Sequence, residues 1–160
     1  MRHIATYSTV AKLPMEQAWS KLKNLSLASQ YVPGITKCII TTAKEEGIGA
    51  SRRVSGSQHV LDETVTEWQE GCGLTLRLHN GDRSAFPFSE AFFSYRIDPA
   101  DSDSCKLTCT MSYSMLWGYF GNALHKMLLT KLIGARIRDV TLSMAYFYET
   151  GHRPAKRDLK

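Results

Sequence analysis

Two ionisable side chains stand where hydrocarbon is expected. Arg52 interrupts the row Ile48, Ala50, Arg52, Val54, and Glu63 lies between Leu61 and Val65 in the row His59, Leu61, Glu63, Val65, Glu67. Alternate residues of a β-strand share a face, so each row places a charge among apolar neighbours. If Gly56 and Ser57 form a two-residue hairpin turn, Val54 pairs with His59, Arg52 with Leu61 and Ala50 with Glu63. Arg52 and Glu63 are then diagonal neighbours within reach of long side chains. A buried charge is costly unless it is paired. Four readings follow: a pair that fixes the polar end of a ligand; Glu63 as a proton acceptor of raised pKa; a structural ion pair at the sheet rim; or, after a one-residue register slip, two solvent-facing side chains. Tyr95 and Tyr113 offer hydroxyls to the same space, although a strand tyrosine is also an ordinary core residue.

Other chemistry has little support. Cys38, Cys72, Cys105 and Cys109 lack CxxC spacing, and Cys105 and Cys109 read as buried, small apolar residues on one strand face. The five histidines are scattered, and His125 reads as a solvent-side position of the last helix. Neither a metal nor another cofactor is expected. The sequence holds no GxGxxG, GxxxxGK[ST], HExxH or GxSxG motif.

The elements that must position these residues follow from periodicity. Arg2 to Val10 reads as a first strand with Ile4, Thr6, Ser8 and Val10 on one side. Pro14 suits a helix start, followed at helical spacing by Met15, Ala18, Trp19 and Leu22. A second short helix from Ser26 to Tyr31 is closed by Pro33 and Gly34. Six further strands are predicted over residues 35–44, 48–55, 59–69, 74–79, 86–97 and 105–116, with a loop over 98–103. Leu74, Leu76 and Leu78 oppose Thr75, Arg77 and His79, and Cys105, Leu107, Cys109, Met111, Tyr113 and Met115 oppose polar neighbours. The sheet therefore has one wet and one apolar face. Phe86, Phe88, Phe92 and Phe93 fall on both faces of one strand, which implies a bulge or a second buried surface.

Gly118 to Glu149 reads as one long terminal helix. Phe120, Leu124, Met127 and Leu128 form one apolar arc, and Ile133, Ile137, Val140, Met144 and Phe147 another. The helix either bends near Gly134 or is buried on two sides. An antiparallel sheet of seven strands with one apolar face must bury that face under this helix, and such a lid encloses a container. The second arc and the two-sided phenylalanine strand are also a candidate homodimer or partner surface.

The chain has 160 residues, 43% hydrophobic and 22% charged, as expected for one domain with its own core. The domain is read as residues 1–150, with 151–160 a basic, disordered tail. The net charge of +5 suggests nucleic acid until it is located: the tail carries +3 of it, so no nucleic-acid partner is expected. The tail is a possible contact for an anionic membrane surface. No apolar run approaches a membrane span, so integral membrane association is not expected, and the N-terminus lacks a secretory pattern, so a cytoplasmic location is.

The stretches LPMEQAWSKLKN, YVPGI, EEGIGASRRV, LDETVTEW and CKLTCTMSYSM, in that order and followed by the long helix, resemble the START-like superfamily, also called Bet v1-like or SRPBCC, and within it polyketide cyclase/dehydrase-like proteins. The resemblance covers Thr9 to Glu149. It implies an α+β helix-grip fold: a curved seven-stranded antiparallel sheet wrapped around the C-terminal helix, two short helices after strand 1, and an internal pocket. It also implies a hydrophobic or amphipathic ligand (a lipid, quinone, polyketide or aromatic compound), with catalysis in a minority of members. Arg52, Glu63 and Tyr113 match positions where members place pocket polar groups. The expected ligand contacts are Arg52, Glu63, Leu76, Leu78, Tyr95, Met111, Tyr113, Ile137, Val140 and Met144. If the protein is a cyclase or dehydratase, the catalytic candidates are Glu63, Arg52 and Tyr113.

Overall fold

The computed structural model describes residues 1–57, 59–116, 123 and 128–159. Strand β1 (Arg2–Ala11) leads into helix α1 (Met15–Leu22), a 3-10 turn at Leu25–Leu27 and helix α2 (Ala28–Tyr31). Six more strands of length follow: β2 (Ile35–Ile40), β3 (Ser51–Gly56), β4 (Val60–Gln69), β5 (Gly73–Asn80), β7 (Phe88–Asp101) and β8 (Ser104–Met115). A two-residue strand, β6 (Arg83–Ser84), pairs only with β5. Helix α3 (Thr130–Thr150) completes the domain, and the chain ends in a 3-10 turn at Lys156–Leu159.

The sheet is antiparallel, in the order β1-β8-β7-β5-β4-β3-β2. Short connections make consecutive strands neighbours, and the one long-range closure brings β1 beside β8. Bulges between Val65 and Glu67, Phe88 and Glu90, and Pro99 and Asp101 bend the long strands. The concave face carries Leu74, Leu76, Leu78, Leu107, Cys109 and Met111, all buried. The opposite face is laced by hydroxyls, with Thr6 bonded to Thr110 at 2.7 Å and Ser8 to Thr108 at 2.8 Å. This is the helix-grip architecture that the resemblance implies, built on the one-sided antiparallel sheet that the alternation implies.

Helix α3 turns its arc of Ile133, Ile137, Val140, Met144 and Phe147 onto the sheet, and all five are buried. That arc belongs to the chain's own core, so it offers no surface to a partner. The helix leans on β1 and β8 and on α2, which leaves space over the β3 to β5 side. The other predicted arc, Phe120, Leu124 and Met127, lies outside the described residues, as does His125, and Leu128 is exposed. Gly134 sits inside α3.

Several expected boundaries differ. Strand β2 ends at Ile40, not Lys44, and Ile48 lies in the following connection, 59% exposed. Ala50 bonds across to Val65 before β3 begins. The β3–β4 connection is longer than two residues: Gly56 N–H donates to His59 O at 2.8 Å and Ser55 pairs with Val60. The register is thereby displaced by two positions, Val54 faces Leu61, and Arg52 faces Glu63 directly. An even displacement keeps every side chain on its face. The bulge after Val65 turns Glu67 outward, where it accepts from the Thr75 hydroxyl at 2.8 Å.

On β1 the row Ile4, Thr6, Ser8, Val10 faces solvent, with Ile4 70% exposed. Strand β7 continues through the predicted 98–103 loop to Asp101, because Pro99 is accommodated at a bulge. The two-sided phenylalanines resolve into Phe93 on the inner face against Tyr95, Phe92 outside under the Arg2 guanidinium, and Phe88 at a bulge against Tyr113, while Phe86 precedes the strand. The tail, expected to be disordered, turns back at Gly151 in the left-handed region (φ 72°), and Arg153 Nη1 donates to Ser29 O at 2.6 Å. Among the described residues no helix is long and apolar enough to cross a membrane.

Candidate functional site

The offset of α3 toward β1 and β8 opens a cavity of about 510 Å³ over the other half of the concave face. Val54, Leu61, Glu63, Leu78, Phe93 and Met111 supply the sheet wall, and Ile137 and Val140 the helix wall. Ala28, Val32 and Ile35 close one end. Exposed His59 and Arg136 stand at the rim with Gly34, Gly56 and Ser57. The volume falls within the roughly 300–1,000 Å³ of small-molecule sites. Arg136 Nη2 donates to Pro33 O, tying helix to rim.

The rim needs two of its glycines. Gly34 has φ 82°, in the left-handed region that favours glycine. A Cβ on Gly56 would stand 2.2 Å from Gly34 O, so the two backbones meet without a side chain between them.

Glu63 carries the polar chemistry of the wall. Arg52 Nε donates to its Oε2 at 2.5 Å, and Arg52 Nη1 donates to Leu25 O at 2.9 Å. The Arg52 side chain is 1% exposed and that of Glu63 12%. Burial pulls the guanidinium pKa down, but Glu63, Tyr31 and Tyr95 together hold it well above its ordinary value. Arg52 is a permanent buried cation whose Nη2 has no acceptor among the described residues.

Behind this pair lies a group of tyrosines that the sequence reading named only in part. Tyr31 makes edge contacts with Tyr95 (6.4 Å between ring centroids) and Tyr148 (5.7 Å). Burial raises the hydroxyl pKa of all three, with Arg52 opposing it at Tyr31 and Tyr95. They remain neutral phenols. Tyr31 belongs to the YVPGI stretch, and Tyr148 lies one residue beyond the apolar arc of α3, so helical spacing was the signal that could have found it.

Of the ten expected ligand contacts, Glu63, Leu78, Met111, Ile137 and Val140 line the cavity. Arg52, Leu76, Tyr95 and Met144 are buried but stand outside the lining: Arg52 braces Glu63, Leu76 is fully enclosed in the sheet, Tyr95 packs on Phe93, and Met144 meets Cys109 Sγ at 3.9 Å. Tyr113 packs between His3 and Phe88, also outside the lining. The sequence reading missed Leu61, Phe93, Val54, His59 and Arg136 as lining residues. Leu61 and Val54 were legible as alternation partners of Glu63 and Arg52, whereas Arg136 reaches the rim only through the helix's placement.

The buried cysteines behave as apolar residues. Burial pushes the Cys105 thiol to about 11 and the Cys109 thiol to about 12, which leaves them protonated at neutral pH. Among the described residues no cluster of three or more His, Cys, Asp or Glu is placed to hold a metal ion.

Comparison with known proteins agrees with this geometry. The family model described as polyketide cyclase / dehydrase and lipid transport matches residues 2–145. A Thermobifida fusca protein solved by solution NMR superposes with TM-score 0.72 at 17% identity, covering 95% of this chain and 97% of that one. Norcoclaurine synthase from Thalictrum flavum gives TM-score 0.67 at 13% identity, over 92% and 93%. Ara h 8.0201 gives 0.65 at 12%, over 92% and 98%. At these identities the superpositions speak to the fold alone. A comparison with curated protein sequences found no match.

Proposed function

The chain belongs to the polyketide cyclase / dehydrase and lipid transport family, and from that premise we propose that it binds one hydrophobic or amphipathic small molecule between α3 and the concave sheet face. The observation that carries this reading is the cavity of about 510 Å³, whose two walls are apolar among the described residues except for Glu63. A lipid tail, quinone, polyketide or other aromatic body would lie against Leu61, Leu78, Phe93, Met111, Ile137 and Val140. Burial of apolar surface contributes about 25 cal/mol per Å², so such a body supplies most of the affinity and Glu63 its orientation.

The test is a binding titration with the neutral fluorophore N-phenyl-1-naphthylamine, alongside native mass spectrometry of the purified protein for a retained small molecule. We expect fluorophore emission to rise on binding, and Leu61→Trp, which fills the space from a half-buried position, to weaken binding at least about tenfold with an unchanged circular dichroism spectrum. Equal binding by a folded Leu61→Trp variant would remove this cavity from the account.

A catalytic reading has one observation in its favour, a carboxylate on the wall of an apolar cavity. Glu63 would then move a proton on a bound substrate in a cyclisation or dehydration. Glu63→Gln divides the readings: a binding protein keeps its ligand unconverted in either form, whereas an enzyme binds and loses turnover.

A further inference from the structure

We propose that the cavity selects uncharged ligands bearing a hydrogen-bond donor, and that Glu63 makes the selection; the assignment rests on the container reading above. Its basis is the charge balance of one wall. Arg52 spends Nε on Glu63 Oε2 at 2.5 Å and Nη1 on Leu25 O at 2.9 Å. These bonds hold the guanidinium behind the wall, 1% exposed and outside the cavity lining, while Glu63 stands in the lining. Glu63 Oε1 receives no donor among the described residues. A ligand that reaches this point meets a carboxylate oxygen rather than a guanidinium.

Arg52 and Glu63 are neutral as a unit. A carboxylate or phosphate on the ligand would set a second negative charge beside Glu63, and the other ionisable groups of the lining among the described residues, Arg136 and His59, are exposed and screened by water. An ammonium would leave a positive charge uncompensated. Either excess is costly in an apolar enclosure. A hydroxyl or neutral N–H donates to Oε1 and leaves the net charge unchanged, and a bond to an ionised acceptor is stronger than one between neutral groups. The neighbours Leu61, Leu78, Phe93 and Met111 accept the apolar remainder.

The experiment is displacement of N-phenyl-1-naphthylamine at pH 7 by four probes of one shape: 2-naphthol, 2-methoxynaphthalene, 2-naphthoate and 2-naphthylmethylamine. The expected result is 2-naphthol binding about tenfold tighter than each of the other three. In Glu63→Gln, whose Arg52 charge is unbalanced, 2-naphthoate should gain on 2-naphthol. The double variant Arg52→Gln/Glu63→Gln, neutral without a buried ion pair, should narrow the gap between these two to less than about threefold; it carries the test if the single variant fails to fold. Naphthoate binding as well as naphthol, or an unchanged ranking and ratio in the folded double variant, overturns the selection while fluorophore binding keeps the container reading. Failure of the fluorophore to bind at all overturns both.

Discussion

At the scale of the residue, Arg52 and Glu63 depend on each other. With Arg52 1% exposed, removing one partner strands a charge, whereas removing both removes the desolvation cost as well. Arg52→Met should therefore lose about 3–5 kcal/mol of stability in urea unfolding, and Arg52→Met/Glu63→Leu should recover most of it or exceed the wild type. Two hydrogen-bonded carboxylates, the exposed Glu70 and the buried Asp62, shape the acid limb. Hydrogen bonds from Trp68 and Trp19 hold Glu70 below its ordinary 4.5, and the bond from Arg53 holds Asp62 below 3.8. A depressed folded pKa means stability that is present in full above the unfolded value and is lost as pH falls through the folded one. Thermal unfolding between pH 5 and pH 2, a window spanning both values, should show Tm falling toward acid. Glu70→Gln and Asp62→Asn should each flatten that fall; an identical slope in both variants would assign it elsewhere.

At the scale of the element, two glycines make opposite predictions. Gly134 lies within α3 and a Cβ there would meet open space. Gly134→Ala should stabilise by up to about 1 kcal/mol, through helix propensity and a less mobile unfolded chain. Gly56 ends β3, and its substitution to alanine drives a Cβ to 2.2 Å from the Gly34 carbonyl oxygen. Gly56→Ala should lower Tm and separate the two rim segments, weakening fluorophore binding. The Trp19 and Trp68 indoles, which both donate to Glu70 at 2.8 Å, bind α1 to the β4–β5 hairpin. A sheet with bulged strands needs such side-chain ties, because its curvature rather than its pairing decides where the helices rest.

At the scale of the whole molecule, the fold stands with a cavity of about 510 Å³ inside it. Dispersion contacts are absent across that space, so a ligand that fills it and does not bind the unfolded chain must stabilise the native state. At a hundredfold excess over Kd the gain is about 2.7 kcal/mol, roughly 5–10 °C in Tm for a domain of this size. Calorimetry with and without 2-naphthol reads this directly. Leu61→Trp should show little of the shift.

The alternation of apolar and polar residues was enough to place the seven long strands in order, though not their ends at β2 and β7, and it put Arg52 and Glu63 in apolar rows, a placement that holds because side-chain parity survives a register error of two. Helical spacing likewise grouped Ile133, Ile137, Val140, Met144 and Phe147 into one arc, although packing decided that this arc enters the core, and the ordered phrases from Thr9 to Glu149 carried the family. What local pattern does not encode is the offset of α3 toward β1 and β8. That offset is a packing solution of the curved sheet as a whole, and it decided that Glu63, Leu78, Met111, Ile137 and Val140 face a cavity while Arg52, Leu76, Tyr95 and Met144 fill the core and Tyr113 packs against His3 and Phe88. The direct pairing of Arg52 with Glu63 was decided the same way, by a connection whose length the dipeptide Gly56–Ser57 does not specify.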